Sequence, residues 1–147
     1  AEDIIVPTGG VAAPITHEGV DNDEPALEMN GREVFKFATR IMDGAVTEAL
    51  SASPYTTADI DLLVPHQANA RIIQYAADEL GLADDQVYMN VDRYGNTSAA
   101  SVPLALSEAL DAGYARPGDT LALVAFGAGL TWGAVILDLP DTLPAPD

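Results

Sequence analysis

Ile60-Asp61-Leu62-Leu63-Val64-Pro65-His66-Gln67-Ala68-Asn69 runs from a compact apolar stretch through a proline into polar residues. It then enters a segment where Ile72, Ile73, Ala76, Ala77 and Leu80 recur at helical spacing before Gly81. The spacing predicts a strand over 60–64 and a helix over 68–80 that glycine stops. A second junction of the same kind comes later in the chain. Residues 87–91 are strand-like, Asn96-Thr97-Ser98-Ala99-Ala100-Ser101 leads away from them, and 98–112 reads as a helix with Pro103 near its start and Gly113 after its end.

Upstream, Asn30 with Glu33 three residues on forms a capping-box pattern. Val34, Phe35, Phe37, Ala38, Ile41, Met42, Ala45, Val46, Ala49 and Leu50 then mark one long helix. Residues 3–6 are a short strand candidate. Residues 8–29 mix Gly, Pro, Asp and Asn without periodicity and read as a surface loop, and 140–147 as a frayed tail. Strands over 121–125 and 131–137 close the pattern. The order strand, helix, strand, helix, strand, helix, strand, strand predicts an α/β fold, a mixed sheet with helices on its faces.

Length and composition bound the rest. With 147 residues and 48% apolar content the chain can bury one core, so a single domain over 1–147 is expected. Its 23 acidic and 6 basic residues give a net charge of -17. Such a field repels polyanions, which argues against nucleic acid and anionic membranes as partners. Zero cysteines exclude disulfides and Cys-ligated metal sites and fit a cytoplasmic setting. No basic-then-apolar leader opens the sequence. Thr120–Leu137 carries no charge over 18 residues, yet Gly127, Gly129 and Gly133 interrupt it, so it reads as two buried strands around a turn and not a membrane span.

In open α/β sheets ligands bind beyond the carboxyl ends of strands, where the following helix presents unpaired N–H groups. His66 and Asn96 both fall at such places. A helix start also favours a neutral imidazole. Neutral His66 and the Asn96 amide are then two donors able to hold one oxygen. Decarboxylation of a malonyl thioester creates such an oxygen as an enolate, and donors aimed at developing charge each lower a barrier by about 3 kcal/mol. The plainer alternatives are a histidine satisfied at a strand end and an asparagine that suits the Tyr94-Gly95-Asn96 turn. Phe126-Gly127-Ala128-Gly129 adds a glycine-flanked turn able to present a backbone N–H. Because a strand comes after it, it is no dinucleotide fingerprint.

Arg32, Lys36 and Arg40 stand four apart on one helix face, a like-charge stripe that costs a few tenths of a kcal/mol per pair unless an anion answers it. The functional reading is a docking patch for coenzyme A phosphates or an acidic carrier protein, with Arg71 a further candidate. Acidic neighbours in the fold are the alternative.

His66-Gln67-Ala68-Asn69-Ala70-Arg71, the stretch from Asn90 to Ser101, Ala125 to Gly133, and Asn30-Gly31-Arg32-Glu33-Val34-Phe35-Lys36 together resemble the C-terminal half of β-ketoacyl-[acyl-carrier-protein] synthase III over about residues 4–138. The resemblance implies a thiolase-like half, and an enzyme that condenses an acyl group on a cysteine of its first half with malonyl-acyl carrier protein to start fatty-acid synthesis. By position it implies His66 and Asn96 as the decarboxylation pair and the Ala128 N–H as an oxyanion donor. It also implies Asn69, Phe126 and Gly127 beside the pantetheine arm, and Arg71 and Lys36 toward the carrier. Acyl-CoA and malonyl-carrier substrates, a homodimer of the complete enzyme, and the absence of cofactor and metal are implied in the same way. Three departures stand out. The first half with its cysteine is missing, Ala128 replaces a common glycine, and Asp78-Glu79 occupy positions where some members carry lysines.

Two kinds of function are therefore expected to compete. One is the C-terminal part of a decarboxylating ketosynthase, or of a related acyltransferase in specialised metabolism, inactive without an N-terminal half. The other is a non-catalytic half that binds acyl carriers or assembles as a structural subunit, with exposed apolar faces driving association.

Overall fold

The computed structural model describes residues 4–22 and 27–142. Its centre is a three-stranded sheet of β3 (Leu62–Pro65), β4 (Thr120–Gly127) and β5 (Thr131–Asp138), in that spatial order. β3 pairs with β4 in parallel from Leu62↔Leu121 to Pro65↔Val124, and β4 pairs with β5 antiparallel through a tight hairpin. The uncharged Thr120–Leu137 stretch is thus two strands and a turn, but only β4 is buried; β5, expected to be buried as well, is an edge strand that is mostly exposed. No helix of the described residues is long and apolar enough to cross a membrane.

Alternation along β3 decides which helix covers which face, because successive strand side chains point to opposite sides. Leu63 joins Ala122, Val124 and Phe126 in a core with α2 (Gly31–Ser51) and α3 (Ala70–Leu80). Leu62, Val64 and Leu121 face the other way, against Ala105 and Ala109 of α5 (Ser101–Asp111). Every residue of β3 is buried, the pattern of a strand covered on both faces.

The long helix starts as its sequence predicts, with the Asn30 side chain accepting from the Glu33 N–H at 3.4 Å. The reciprocal half of the capping box does not form. Glu33 instead pairs with Lys36 at 2.7 Å, so the carboxylate answers the cationic stripe locally. Val34, Ala38, Met42, Ala45, Val46 and Leu50 are buried at helical spacing. α3 is capped by Asn69, whose side chain accepts from the Arg71 N–H at 2.9 Å. It ends at Gly81 with φ +69, and Leu82 N–H returns to Ala77 O at 3.0 Å, a left-handed glycine stop.

Four sequence expectations need correcting. The helix expected from 68 begins at Ala70, because Asn69 in extended geometry caps it. The strand expected over 87–91 is reduced to one parallel bridge, Leu63↔Val87, and the chain then turns at Asn90 into a short helix, α4 (Val91–Tyr94). The helix expected from 98 opens with a 3-10 turn at Ser98–Ala100 before α5. The stretch 8–29 contains a helical turn, α1 (His17–Asp21), capped by Thr16, and β2 (Glu28–Met29), paired antiparallel with β1 (Ile4–Ile5). Short polar caps and two-residue ladders leave no periodic trace for sequence to show. Within the expected strand at residues 3–6, Asp3 lies outside the described residues, as do 143–147 of the expected tail.

On the α5 side of the sheet, Val135 and Leu137 of β5 are 57% and 36% exposed and Leu104 of α5 is 43% exposed. Met42 is fully buried between α2 and the sheet. Met42→Ala is expected to lower the unfolding free energy by about 2–5 kcal/mol, read as a shifted denaturant midpoint with an unchanged slope.

Candidate active site

β3 lies between Val87 on one edge and β4 on the other, and the crossovers to them carry α3 and α5 on opposite faces. The chain therefore diverges at the carboxyl end of β3, the place where open α/β sheets form a crevice. His66 stands there, with its backbone N–H donating to Val124 O at 2.7 Å. A cavity of about 780 Å³ opens beside it.

Four segments wall this cavity. His66, Asn69 and Ile72 come from the β3–α3 junction, and Asn96, Ser98 and Val102 from the approach to α5. Ala125 to Ala128 and Thr131 to Gly133 come from the β4–β5 hairpin, and Ile4, Leu27, Met29, Val34 and Phe35 form an apolar side. In a chain of net charge -17, none of the lining residues is charged. The structure thus gathers His66, Asn96, Asn69, Phe126, Gly127 and Ala128 around one space.

The His66 ring is buried and meets Phe126 edge-on, with centroids 5.3 Å apart and planes at 86°. Burial pushes its pKa below the ordinary 6.5, so the imidazole is neutral at neutral pH and carries one N–H. α3 begins four residues later and its first turn is served by Asn69, and desolvation is what lowers the pKa of the ring.

Asn96 comes after a helical turn and Gly95, not a strand. Its Oδ1 accepts from the Ser98 N–H at 2.9 Å, which fixes the amide orientation and leaves the Nδ2 hydrogens for another acceptor. Ser98 has φ +52, a left-handed geometry uncommon for a residue with a Cβ. Ala128 is exposed in the hairpin turn, and the Thr131 hydroxyl bonds its carbonyl at 3.3 Å.

The cationic candidates lie outside the cavity lining. The Arg71 guanidinium sits 5.3 Å from the centroid of Phe35, itself a wall residue, so this charge is beside the cavity. Arg32 and Arg40 are exposed on α2, and Lys36 is engaged by Glu33.

Sequence reasoning missed Gln67. It is 1% exposed and makes four hydrogen bonds: its Nε2 donates to Pro65 O at 2.9 Å and Tyr88 O at 3.1 Å, while its Oε1 accepts from Asn90 N–H at 2.8 Å and Val91 N–H at 3.1 Å. This amide ties the end of β3 to the segment leading to Asn96. A second missed residue is Glu108 of α5, which binds Asn90, Arg93 and Tyr94. Hydrogen bonds from Asn90 and Tyr94, with the Arg93 charge, hold its carboxyl below the ordinary range. A lone Gln or Glu carries no periodic signal, since apart from the Gln67 bond to Pro65 O its partners lie 14 to 24 residues away.

Residues 50–139 match the family described as 3-oxoacyl-[acyl-carrier-protein] synthase III C terminal. The chain is 52% identical over 134 residues to the β-ketoacyl-[acyl-carrier-protein] synthase III of Symbiobacterium thermophilum, covering 91% of this chain and 41% of the relative. A crystal structure of the Thermus thermophilus synthase III superposes with a TM-score of 0.81 at 48% identity, covering 97% of this chain and 43% of that one. That of the Pseudomonas aeruginosa 3-oxoacyl-(acyl carrier protein) synthase III gives 0.84 at 36% identity over 97% and 43%. The chain spans about two fifths of the length of these relatives.

Gln67→Leu keeps the volume but strips a partner from four backbone groups, three of them in buried bonds, with an expected cost of about 3 kcal/mol or more in denaturant unfolding. The His66 ring is expected to titrate below 6.5 by NMR. Because the unfolded chain takes up this proton first, stability falls as pH drops from 6.5 toward the folded pKa. The Glu108 contribution has a different origin but the same direction. It is present above the ordinary carboxylate range and lost as pH falls through its depressed folded value, a dependence that Glu108→Gln would abolish.

Proposed function

Since this chain belongs to the 3-oxoacyl-[acyl-carrier-protein] synthase III C-terminal family, we propose that it is the C-terminal part of a decarboxylating ketosynthase that initiates fatty-acid synthesis. The observation that carries this reading is the placement of a neutral buried imidazole and an oriented carboxamide on one uncharged cavity. The sequence has no cysteine, so the acyl-carrying thiol comes from outside these 147 residues, on an N-terminal half that packs beside this one.

In the proposed reaction, a malonyl thioester on acyl carrier protein enters with its thioester oxygen toward His66 and Asn96. The bond between the α-carbon and the carboxylate breaks, carbon dioxide departs, and the electron pair is delocalised onto that oxygen as an enolate. The His66 ring N–H and the Asn96 Nδ2–H donate to it, and the largely apolar, uncharged wall strengthens both bonds. The α-carbon then attacks the carbonyl of the acyl-cysteine. Negative charge collects on that second oxygen, where the Ala128 N–H serves as donor, and the thiolate leaves.

Asn69, Phe126, Gly127 and the apolar side formed by Met29 and Phe35 hold the pantetheine arm. Arg71, with Lys36, Arg32 and Arg40, meets the phosphates of a coenzyme A thioester or the acidic carrier protein. Arg71 supports this role best, because it stands beside the cavity wall on Phe35. The exposed Leu104, Val135 and Leu137 fit burial against the N-terminal half.

In the enzyme reconstituted with the cysteine-bearing half, His66→Ala and Asn96→Ala are each expected to slow malonyl-thioester decarboxylation by about a hundredfold or more. Acylation of the cysteine should survive both. Decarboxylation at the wild-type rate in both variants would overturn the assignment. Purified alone, the 15.3 kDa chain is expected to associate in light scattering, and a dry, stable monomer would count against a buried apolar face.

A further inference from the structure

The Glu108 carboxylate accepts four hydrogen bonds from three side chains of the turn that leads to Asn96. Asn90 Nδ2 reaches Oε2 at 2.6 Å, Arg93 spans both oxygens at 3.0 and 3.1 Å, and the Tyr94 hydroxyl reaches Oε1 at 2.6 Å. Both ends of α4 are thereby fastened to the body of α5, where Ala105 and Ala109 are fully buried against the sheet. The arrangement differs from a simple ion pair in its geometry, since neutral and charged donors from three residues converge on one carboxylate that is a quarter exposed.

The fastening matters because of the residue after Tyr94. Gly95 has φ +67 and ψ -160, a conformation open essentially to glycine alone. Such a residue transmits orientation poorly unless both its neighbours are held. On its far side Asn96 bonds Ser98, itself at a strained positive φ. On its near side the restraint is Glu108, through Tyr94. The same network reaches the other donor: Asn90 N–H is bonded to Gln67 Oε1, and Gln67 adjoins His66. A continuous path thus runs from His66 through Gln67, Asn90, Glu108 and Tyr94 to Asn96.

We infer that Glu108 is a positioning residue, which sets the Asn96 amide opposite His66 by anchoring the turn before Gly95. This rests on the reading of His66 and Asn96 as the enolate-binding pair. Glu108 does not line the cavity and touches no substrate. Its loss should therefore be felt where Asn96 acts, in decarboxylation, and not where the cysteine is acylated.

The test separates the two half-reactions in the reconstituted enzyme. Acyl-cysteine formation is measured by intact mass, and malonyl-thioester decarboxylation by released carbon dioxide. Glu108→Gln turns an amide N–H₂ toward Arg93 and is expected to slow decarboxylation on the order of tenfold or more, the scale of a misplaced catalytic group, with acylation unchanged. Tyr94→Phe removes one donor from an exposed position and folds in any case; it is expected to cause a smaller loss confined to the same step. Equal losses in both steps, or no loss in either variant, would overturn the positioning role. Asn96→Ala distinguishes the two failures. If it leaves decarboxylation intact, the donor pair itself is wrong; if it abolishes decarboxylation while Glu108→Gln and Tyr94→Phe change nothing, only the role of Glu108 falls.

Discussion

The four hydrogen bonds of the buried Gln67 amide are the constraint on which the site depends. β3 is four residues long and its partner segment at Val87 contributes a single bridge, so the sheet itself barely joins them. A side-chain amide supplies two donors and a carbonyl oxygen with two lone pairs, which is the set needed to complete the missing ladder. Leaving buried backbone groups unpaired is costly, and Gln67 removes that cost where the chain must diverge. His66 is thereby presented at the cavity while the chain from Asn90 is led toward Asn96.

Divergence at β3 has a second consequence. α3 and α5 lie on opposite faces because β3 has neighbours on both edges, so the ends of both crossovers border the same crevice. The hairpin turn of β4 and β5 completes it from a third direction. In a strongly acidic protein this crevice is lined by uncharged groups alone. Desolvation then keeps His66 neutral, and an anion formed inside would meet donors and no fixed negative charge.

Much of this was legible in the residues. The alternation of apolar runs and helical periods located α2, α3 and the β4–β5 hairpin, because α2, α3 and β4 bury a repeating face and Ala134 and Ile136 of β5 are partly buried. The polar residues His66 and Asn96 stood out as breaks between such runs and Ala128 as part of a glycine-flanked turn, and the fold brings all three to one cavity. The strand expected after Gln86 was misjudged, because Val87–Val91 has strand composition while Asn90 is held by Gln67 and Glu108 in a turn. Local composition could not report bonds made by residues 18 and 23 positions away.

The sequence by itself determined the α/β class, the order α2, β3, α3, α5, β4 and β5, and the identity of the polar junctions, since periodicity and glycine stops act over a few residues and are written locally. Only the tertiary structure decided that the two junctions share an uncharged cavity, that burial lowers the His66 pKa, and that Gln67 and Glu108 hold the path between the donors. Those outcomes depend on groups far apart in the chain meeting in space, and their energies exist only once the sheet has brought them together.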